Sequence, residues 1–543
     1  MWQHNYTPIH GSLLASSLVA ALPIFVLLYL LGIRRTTAWI AAVSGLGATI
    51  LVSFFLYGMP VERIVSAAAY GAAYGLFPIG WIVIWALFLY RLTLDTGKFE
   101  AIKHSLRSLT RDPRLQTLLI AFAFGAFLEG AAGFGTPVAV AAAMLAGLGF
   151  SPFHAAAICL LANTAPVAFG SIAIPIVTLA GVTGLPLARL SAGVGRMCAP
   201  VSLIVPAYLV VVMGGWGALG RVLPAALLCG VTFAGLQFTI SNFVGPQLTD
   251  LIASLASMGV LVVLFLFWKP KDNEKYHAGA AAAKAGDETE HSGGQVFLAW
   301  SPYLLLVICV LLWGWGPMQK PLNSVSIPIA WPGLHNLIAR IPPVTAKVTP
   351  YAAIFNLNWL SASGTSCMIA CILSCFVLRV PPLLALKIFL STMKQLTFSL
   401  ITLAAVLGLA FLMNYSGATG TLGLAFAATG ASFPFFSAIL GWLGVFLTGS
   451  DTSANALFGN LQVVTASKLG FNQVLMASAN SAGGVMGKMI SLSSIAVAAA
   501  ATNMKPDEEA RLFRFTLKHS ALLAFVIGLI ALFYTYVAPG LQP

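Results

Sequence analysis

Apolar runs of about 20 residues, the length a helix needs to cross a bilayer, recur along the whole chain, with 13–31, 39–57, 70–90, 251–268, 297–313 and 521–536 as clear instances. Polar positions fall in short intervals between these runs, and no stretch remains for a separate soluble domain. The pattern predicts an all-α polytopic membrane protein with about 12 to 14 membrane segments. No Lys or Arg precedes the first run, so it reads as a retained helix rather than a cleaved secretory leader.

Positive charge orients the segments. Arg34 and Arg35 follow the first run, Lys98, Lys103, Arg107 and Arg111 sit in the basic interval 91–114, and further basic intervals lie at 379–394 and 505–518. With the N-terminus outside, all of them fall on the cytoplasmic face, as the positive-inside rule requires. The low-complexity, mixed-charge interval 269–295 falls there too and reads as a flexible cytoplasmic linker between a half 1–268 and a half 296–543. On the opposite face, residues 317–351 carry seven prolines and read as an external loop lying on the protein.

Composition agrees: of 543 residues 59% are hydrophobic and 8% charged, with a mean hydropathy of +0.92. The net charge of +13 is spread over the intervals instead of covering one face, so it reports topology and not a nucleic-acid partner. The seven cysteines lie in apolar runs; Cys367, Cys371 and Cys375 share a helical face without a His or carboxylate beside them, so they read as packing residues, and no metal or cofactor is expected. GGVMGKM at 483–489 lacks the first glycine and the magnesium-binding hydroxyl of a phosphate loop, and no HExxH is present, so an intramembrane enzyme is disfavoured.

Two places break the apolar pattern, and they resemble each other. FLEG at 127–130 is matched by FLTG at 446–449, LGF at 148–150 by LGF at 469–471, and Ala162-Asn163-Thr164 by Ala479-Asn480-Ser481, with Gly170 and Gly487 each seven residues beyond the Asn. The basic interval leads into the first copy, whereas an uncharged stretch, 415–433, leads into the second, so the copies are expected to be inverted repeats. In each, a short apolar arm and a polar tip suggest a re-entrant helical hairpin. The following span, broken by Pro166, Gly170 and Pro175 or by Gly483, Gly484 and Gly487, suggests an unwound helix. Such backbone at membrane depth lines a cavity and offers helix N-termini to an anion, which points to a secondary transporter for a carboxylate.

The charged residues placed there are Glu129, Asp451 and Lys488. Charges inside a membrane are functional candidates by default. Either acid is expected to exchange a proton and couple transport to the proton gradient, while Lys488 holds the substrate carboxylate. The structural alternative is an Asp451–Lys488 ion pair with Glu129 accepting backbone N–H groups. Backbone of Gly130, Gly133 and Gly135 and side chains of Thr136, Asn163, Thr164, Ser450, Ser453, Asn455, Asn480 and Ser481 complete the candidate substrate site, although Ser and Thr often bond only their own helix. His154 reads as a surface residue or a proton relay, and Arg189 and Arg196 as snorkelling side chains or anion attractors.

The runs LEGAAGFGTPVAV at 128–140, ANTAPVAFGSIAIP at 162–175 and TGSDTSANALFGNLQ at 448–462 resemble those of the bacterial L-lactate permease family, over nearly the whole chain. The resemblance implies an importer of L-lactate, D-lactate and glycolate by proton symport, multi-pass in the inner membrane. Hairpins and broken helices would move as a block, by analogy with elevator transporters. Its partners would be the monocarboxylate, protons and the lipid bilayer, with oligomerisation open. Sodium coupling at the same tips is the alternative mechanism, and a channel is a third.

Overall fold

The computed structural model describes residues 1–133, 135–270 and 292–543, so the expected linker lies, from 271 to 291, outside the described residues. Among the described residues ten helices are long and apolar enough to cross a membrane, or twelve when each of two bent helix pairs counts as one span. Leu187–Phe243 adds a further crossing. Its 57 residues would extend about 85 Å, well beyond the roughly 30 Å of a bilayer core. Gly215, with φ +77°, turns it back on itself, and Ser191 and Ser202 in the first half donate 2.7 Å hydrogen bonds to Ser241 O and Gln237 Oε1 in the second.

The segments assigned to one face touch segments assigned to the same face. The N-terminal strand Trp2–Gln3 pairs in parallel with Ile338–Arg340, which pairs antiparallel with Thr349–Pro350, and Ile327–Ala330 pairs antiparallel with Ile354–Leu357. These two small sheets stand where a plain external loop was expected; prolines spaced through 317–351 deny it a long helix, and strands of two to four residues satisfy its backbone instead. Arg63 also reaches this cap, donating to Gly333 O at 2.5 Å. On the basic side, Arg91 donates to Ser391 Oγ at 2.8 Å and Arg511 stacks over the Phe153 ring. Arg189 and Arg196 are engaged at the end of the chain: Arg189 donates to an oxygen of Pro543, the last residue, at 2.6 Å and Arg196 to Leu541 O at 2.7 Å.

Val61–Asp95 and Pro382–Ser416 run antiparallel as a scaffold, so close at Gly71 that the Leu407 carbonyl leaves no room for a Cβ. Two helical hairpins pack beside them. The first joins Pro113–Ala131 to Thr136–Gly147, the second Phe433–Thr448 to Asp451–Leu469. Every residue in the 18-residue window of Pro113–Ala131 is buried, as suits an arm enclosed by protein and not lipid. Each hairpin is followed by a bent helix: Pro152–Ala162 turns by 66° into Val167–Thr183, and Gln473–Ile490 by 43° into Leu492–Ala501. The second halves then cross over, Gly170–Thr183 packing on the second hairpin's Asp451–Leu469 and Leu492–Ala501 on the first hairpin's Thr136–Gly147.

One break falls elsewhere than expected. Gly483, Gly484 and Gly487 do not unwind their helix, which stays regular to Gly487 and bends only over Lys488–Ser491. Those glycines instead admit a neighbour, since a Cβ on Gly483 would strike the Ala438 backbone and one on Gly487 the Trp442 carbonyl. This is the small-residue packing that lets two membrane helices approach closely where no hydrophobic driving force separates them from lipid.

Candidate functional site

The hairpin tips and the two bends meet around a cavity of about 260 Å³. Four helices start at its wall. Thr136–Gly147 begins after Gly135, whose φ of +81° favours a residue without a Cβ. Asp451–Leu469 and Leu492–Ala501 begin after Ser450 and Ser491, whose hydroxyls accept from Ser453 N and Ser494 N at 3.3 Å. The second half of the first bent helix resumes by Pro175, a residue preorganised for a first turn. Gly135, Pro175, Ser450 and Ser494 all line the cavity. Unpaired N–H groups and the positive ends of four helix dipoles make this convergence attractive to an anion.

Glu129, Asp451 and Lys488, drawn from three separate elements, line the same cavity. Ser481 Oγ donates to Asp451 Oδ2 at 2.7 Å and Asn455 Nδ2 to the same oxygen at 3.3 Å. Behind them Asn480 Nδ2 donates to Asn455 Oδ1 at 2.9 Å and Gln462 Nε2 to Asn480 Oδ1 at 3.0 Å, so a continuous polar chain joins the second hairpin to the second bent helix. Asn455 also donates to Pro175 O at 3.2 Å, bringing in the first bent helix. Among the described residues Asp451 Oδ1 has no hydrogen-bond partner, and it lies over Gly484, where a Cβ would collide with it.

Glu129 is seated in the same way against a glycine: a Cβ on Gly170 would stand 2.6 Å from its Oε1. Among the described residues its Oε2 has no hydrogen-bond partner, and the Asn163 amide stands beside the carboxylate, within reach of it. Each orphaned buried polar group costs about 1–3 kcal/mol, so an unpartnered oxygen on Glu129 and another on Asp451 beside one cavity suggest that a ligand completes them. Lys488 Nζ donates to Gly449 O at 2.6 Å and forms no ion pair among the described residues, yet it stands within electrostatic reach of both acids. The structural ion pair weighed from sequence is therefore not formed.

Ser171, Ile172 and Ala173 carry φ of +47°, +58° and +61°. A left-handed turn of three L-residues costs about 1–2 kcal/mol each, and it is held by Ser171 Oγ donating to Ala132 O at 2.9 Å across to the first hairpin tip. Nothing in Ser-Ile-Ala announces this conformation, because its usual occupants are Gly and Asn. Gly133 sits so close to Ser171 that no Cβ fits.

The remaining expected residues divide. Ser450 and Ser453 line the cavity, while Asn455, Asn480 and Ser481 support Asp451 from behind. Thr136 opens its helix outside the lining, Thr164 Oγ1 bonds only its own Leu161 O at 2.7 Å, and Gly130 faces away from the cavity toward Asp250. His154 is an exposed residue whose Nδ1 lies 2.7 Å from Ser151 Oγ.

Sequence reasoning missed Ser171, Thr448, Thr452, Ser493, Ser494 and, from the scaffold, Ser399 and Thr402, all on the cavity wall. For Thr448 a signal existed, since FLTG aligns it with Glu129. It also missed Asp250, which is 1% exposed, packs on Gly130, stands beside the Gln237 amide and lies within electrostatic reach of Glu129. At the head of an apolar run it looks like any first-turn acid.

A family model described as L-lactate permease matches residues 16–538. The L-lactate permease of Bacillus subtilis (strain 168) is 45% identical, with 100% of each chain covered. Glycolate permease GlcA of Escherichia coli (strain K12) is 44% identical over 99% of each. Among solved structures, the YdaH transporter of Alcanivorax borkumensis matches 88% of this chain and 89% of its own at 15% identity, with a TM-score of 0.48.

Proposed function

The chain belongs to the L-lactate permease family, a multi-pass membrane transporter and not an enzyme, and we propose that it imports L-lactate and related 2-hydroxymonocarboxylates, D-lactate and glycolate among them, across the bacterial inner membrane by proton symport. What supports this most is the single cavity where Glu129, Asp451, Lys488 and four helix starts meet. Lys488 and the helix N-termini hold the carboxylate by charge and hydrogen bonds, and serine and threonine hydroxyls around them suit the 2-hydroxyl.

Glu129 or Asp451 takes the proton. A proton and a monoanion together add no net charge, so the loaded site crosses hydrocarbon with the charge of the empty one, whereas the anion alone would add a costly charge. This makes binding of one favour binding of the other. The two hairpin and bent-helix units form an inverted pair and move as one block against the scaffold of Val61–Asp95 and Pro382–Ser416; their cross-packing and the polar chain behind Asp451 favour such joint motion.

The test is radiolabelled L-lactate uptake into proteoliposomes under an inward proton gradient, with sodium present or replaced by choline, for wild type, Glu129→Gln and Asp451→Asn. Sodium-independent, gradient-driven uptake that one substitution abolishes is expected. A sodium requirement, or full proton-driven accumulation in both variants, would sink proton coupling through these acids.

A further inference from the structure

We propose that a second cavity, on the external side of the first, is a vestibule that captures a small carboxylate through Arg340 before it reaches the central site. The inference rests on the carboxylate-transport function above and adds a binding site to it.

This cavity encloses about 740 Å³, and His4, Tyr6, Tyr70, Arg340, Tyr351 and Tyr415 are among the residues that line it. Arg340 ends the middle strand of the external sheet, paired with Thr349 on one side, while the N-terminal strand holds the neighbouring Ile338 and Ala339 on the other. Its guanidinium carbon lies 4.5 Å from the centroid of the Tyr351 ring, which itself stacks on Tyr415 with centroids 4.3 Å apart. Among the described residues the buried Nε has no hydrogen-bond partner and Arg340 has no ion pair. No Asp or Glu stands among the residues that line the cavity. A partly buried guanidinium left without a counter-charge is costly, and an anion in the cavity removes the cost.

The neighbouring His4 neither competes nor helps. Its Nε2 donates to the Tyr415 carbonyl at 2.9 Å, which leaves Nδ1 to accept from the Tyr6 hydroxyl at 3.1 Å. Burial, and then the adjacent Arg340 charge, lower its pKa from 6.5 to about 4, so the ring is neutral at ordinary pH. One permanent positive charge within aromatic walls suits one carboxylate: the planar fork offers it paired N–H donors, and exclusion of water strengthens the contact.

Position supports a role on the route inward. Gly170 and Pro175 line the central cavity and Gly181 and Gly184 the outer one; Ser453 lines the inner and Asn460 the outer. The same two helices thus run past both sites, about 10–15 Å apart at 1.5 Å per residue. Tyr74, on the scaffold helix between Tyr70 of the outer cavity and Val83 of the inner one, packs on Gly181 and against Phe411, with ring centroids 5.6 Å apart.

The test uses full-length protein in detergent, with binding of L-lactate, acetate and uncharged glycerol read by titration, beside uptake in proteoliposomes. Lys488→Gln is expected to lose uptake yet still bind L-lactate and acetate, but not glycerol, and the Arg340→Gln/Lys488→Gln pair to bind neither acid. Arg340→Lys restores part of the binding. In otherwise wild-type protein, Arg340→Gln raises the KM for external lactate about tenfold, the loss of one charge-assisted pair, with kcat little changed. Should Arg340→Gln fail to fold, Ala346→Glu places a counter-charge on the cavity wall and raises KM in the same direction. Binding that survives in the double variant, or KM unmoved by Arg340→Gln or by Ala346→Glu, overturns the vestibule. Full uptake by Lys488→Gln contradicts the central-site assignment alone.

Discussion

Ser481 donates a 2.7 Å hydrogen bond to Oδ2 of Asp451, a contact that ties the second bent helix to the first turn of the second hairpin's return arm. Through Asn455 the same carboxylate is linked to Pro175 of the first bent helix. Ser481→Ala leaves this buried oxygen with only the 3.3 Å bond from Asn455. Hydrogen bonds to charged groups contribute about 1.5–3 kcal/mol, so lactate uptake is expected to fall roughly 10- to 100-fold while the protein remains in the membrane. Uptake rates normalised to protein inserted in proteoliposomes decide it; an unchanged rate would make the Ser481 contact dispensable.

Gly170 is fixed by Glu129 and not by its own backbone. Adding a methyl at 2.6 Å from Glu129 Oε1 overpacks the site, so Gly170→Ala is expected to destabilise by about 1–3 kcal/mol and to abolish uptake. Truncating the side chain it strikes removes the conflict. Thermal unfolding of Gly170→Ala/Glu129→Ala should therefore match Glu129→Ala alone, a non-additive pair. Simple additivity of the two losses would place the collision elsewhere.

His4 predicts a pH dependence. In the fold its pKa is lowered to about 4, against 6.5 for an unrestrained histidine. Between those values the unfolded chain takes up a proton that the folded chain refuses, so stability is full above about pH 6.5 and declines as pH falls toward 4. The decline amounts to about 1.4 kcal/mol per pH unit at most, or about 3 kcal/mol over the window. Melting curves from pH 7.5 to 4.5 should show a steeper loss for wild type than for His4→Gln; equal slopes would refute the assignment.

Arg196 bonds Asn242 Oδ1 at 2.8 Å and Leu541 O at 2.7 Å, and so clips the C-terminus to the helical hairpin Leu187–Phe243. Arg196→Gln is expected to lower the melting temperature while leaving KM for lactate within about twofold, since rim contacts of this kind contribute of the order of 1 kcal/mol to stability and none to the site. A large rise in KM would reinstate it as an anion attractor.

The chain by itself determined what depends on local composition. Hydrophobic runs fix the spans, because a bilayer admits only helices or closed barrels. Lysines and arginines assign each interval an expected face, by the positive-inside rule. Two polar interruptions, around Glu129 and around Asp451, locate the cavity, because such residues survive in apolar sequence only where something other than lipid receives them.

Tertiary structure decided everything that depends on approach between distant segments. The glycines at 483, 484 and 487 look like helix breakers, yet they serve close packing against Ala438 and Trp442 and leave room for Asp451. The left-handed turn at Ser171–Ala173 runs against local preference and is held by a contact 39 residues away, at Ala132. Asp250 and Arg340 read locally as an ordinary first-turn acid and a loop cation. Burial beside Glu129 in one case, and in a cavity without acids in the other, gives them their chemistry, because the cost of a charge is set by the surroundings the fold brings to it.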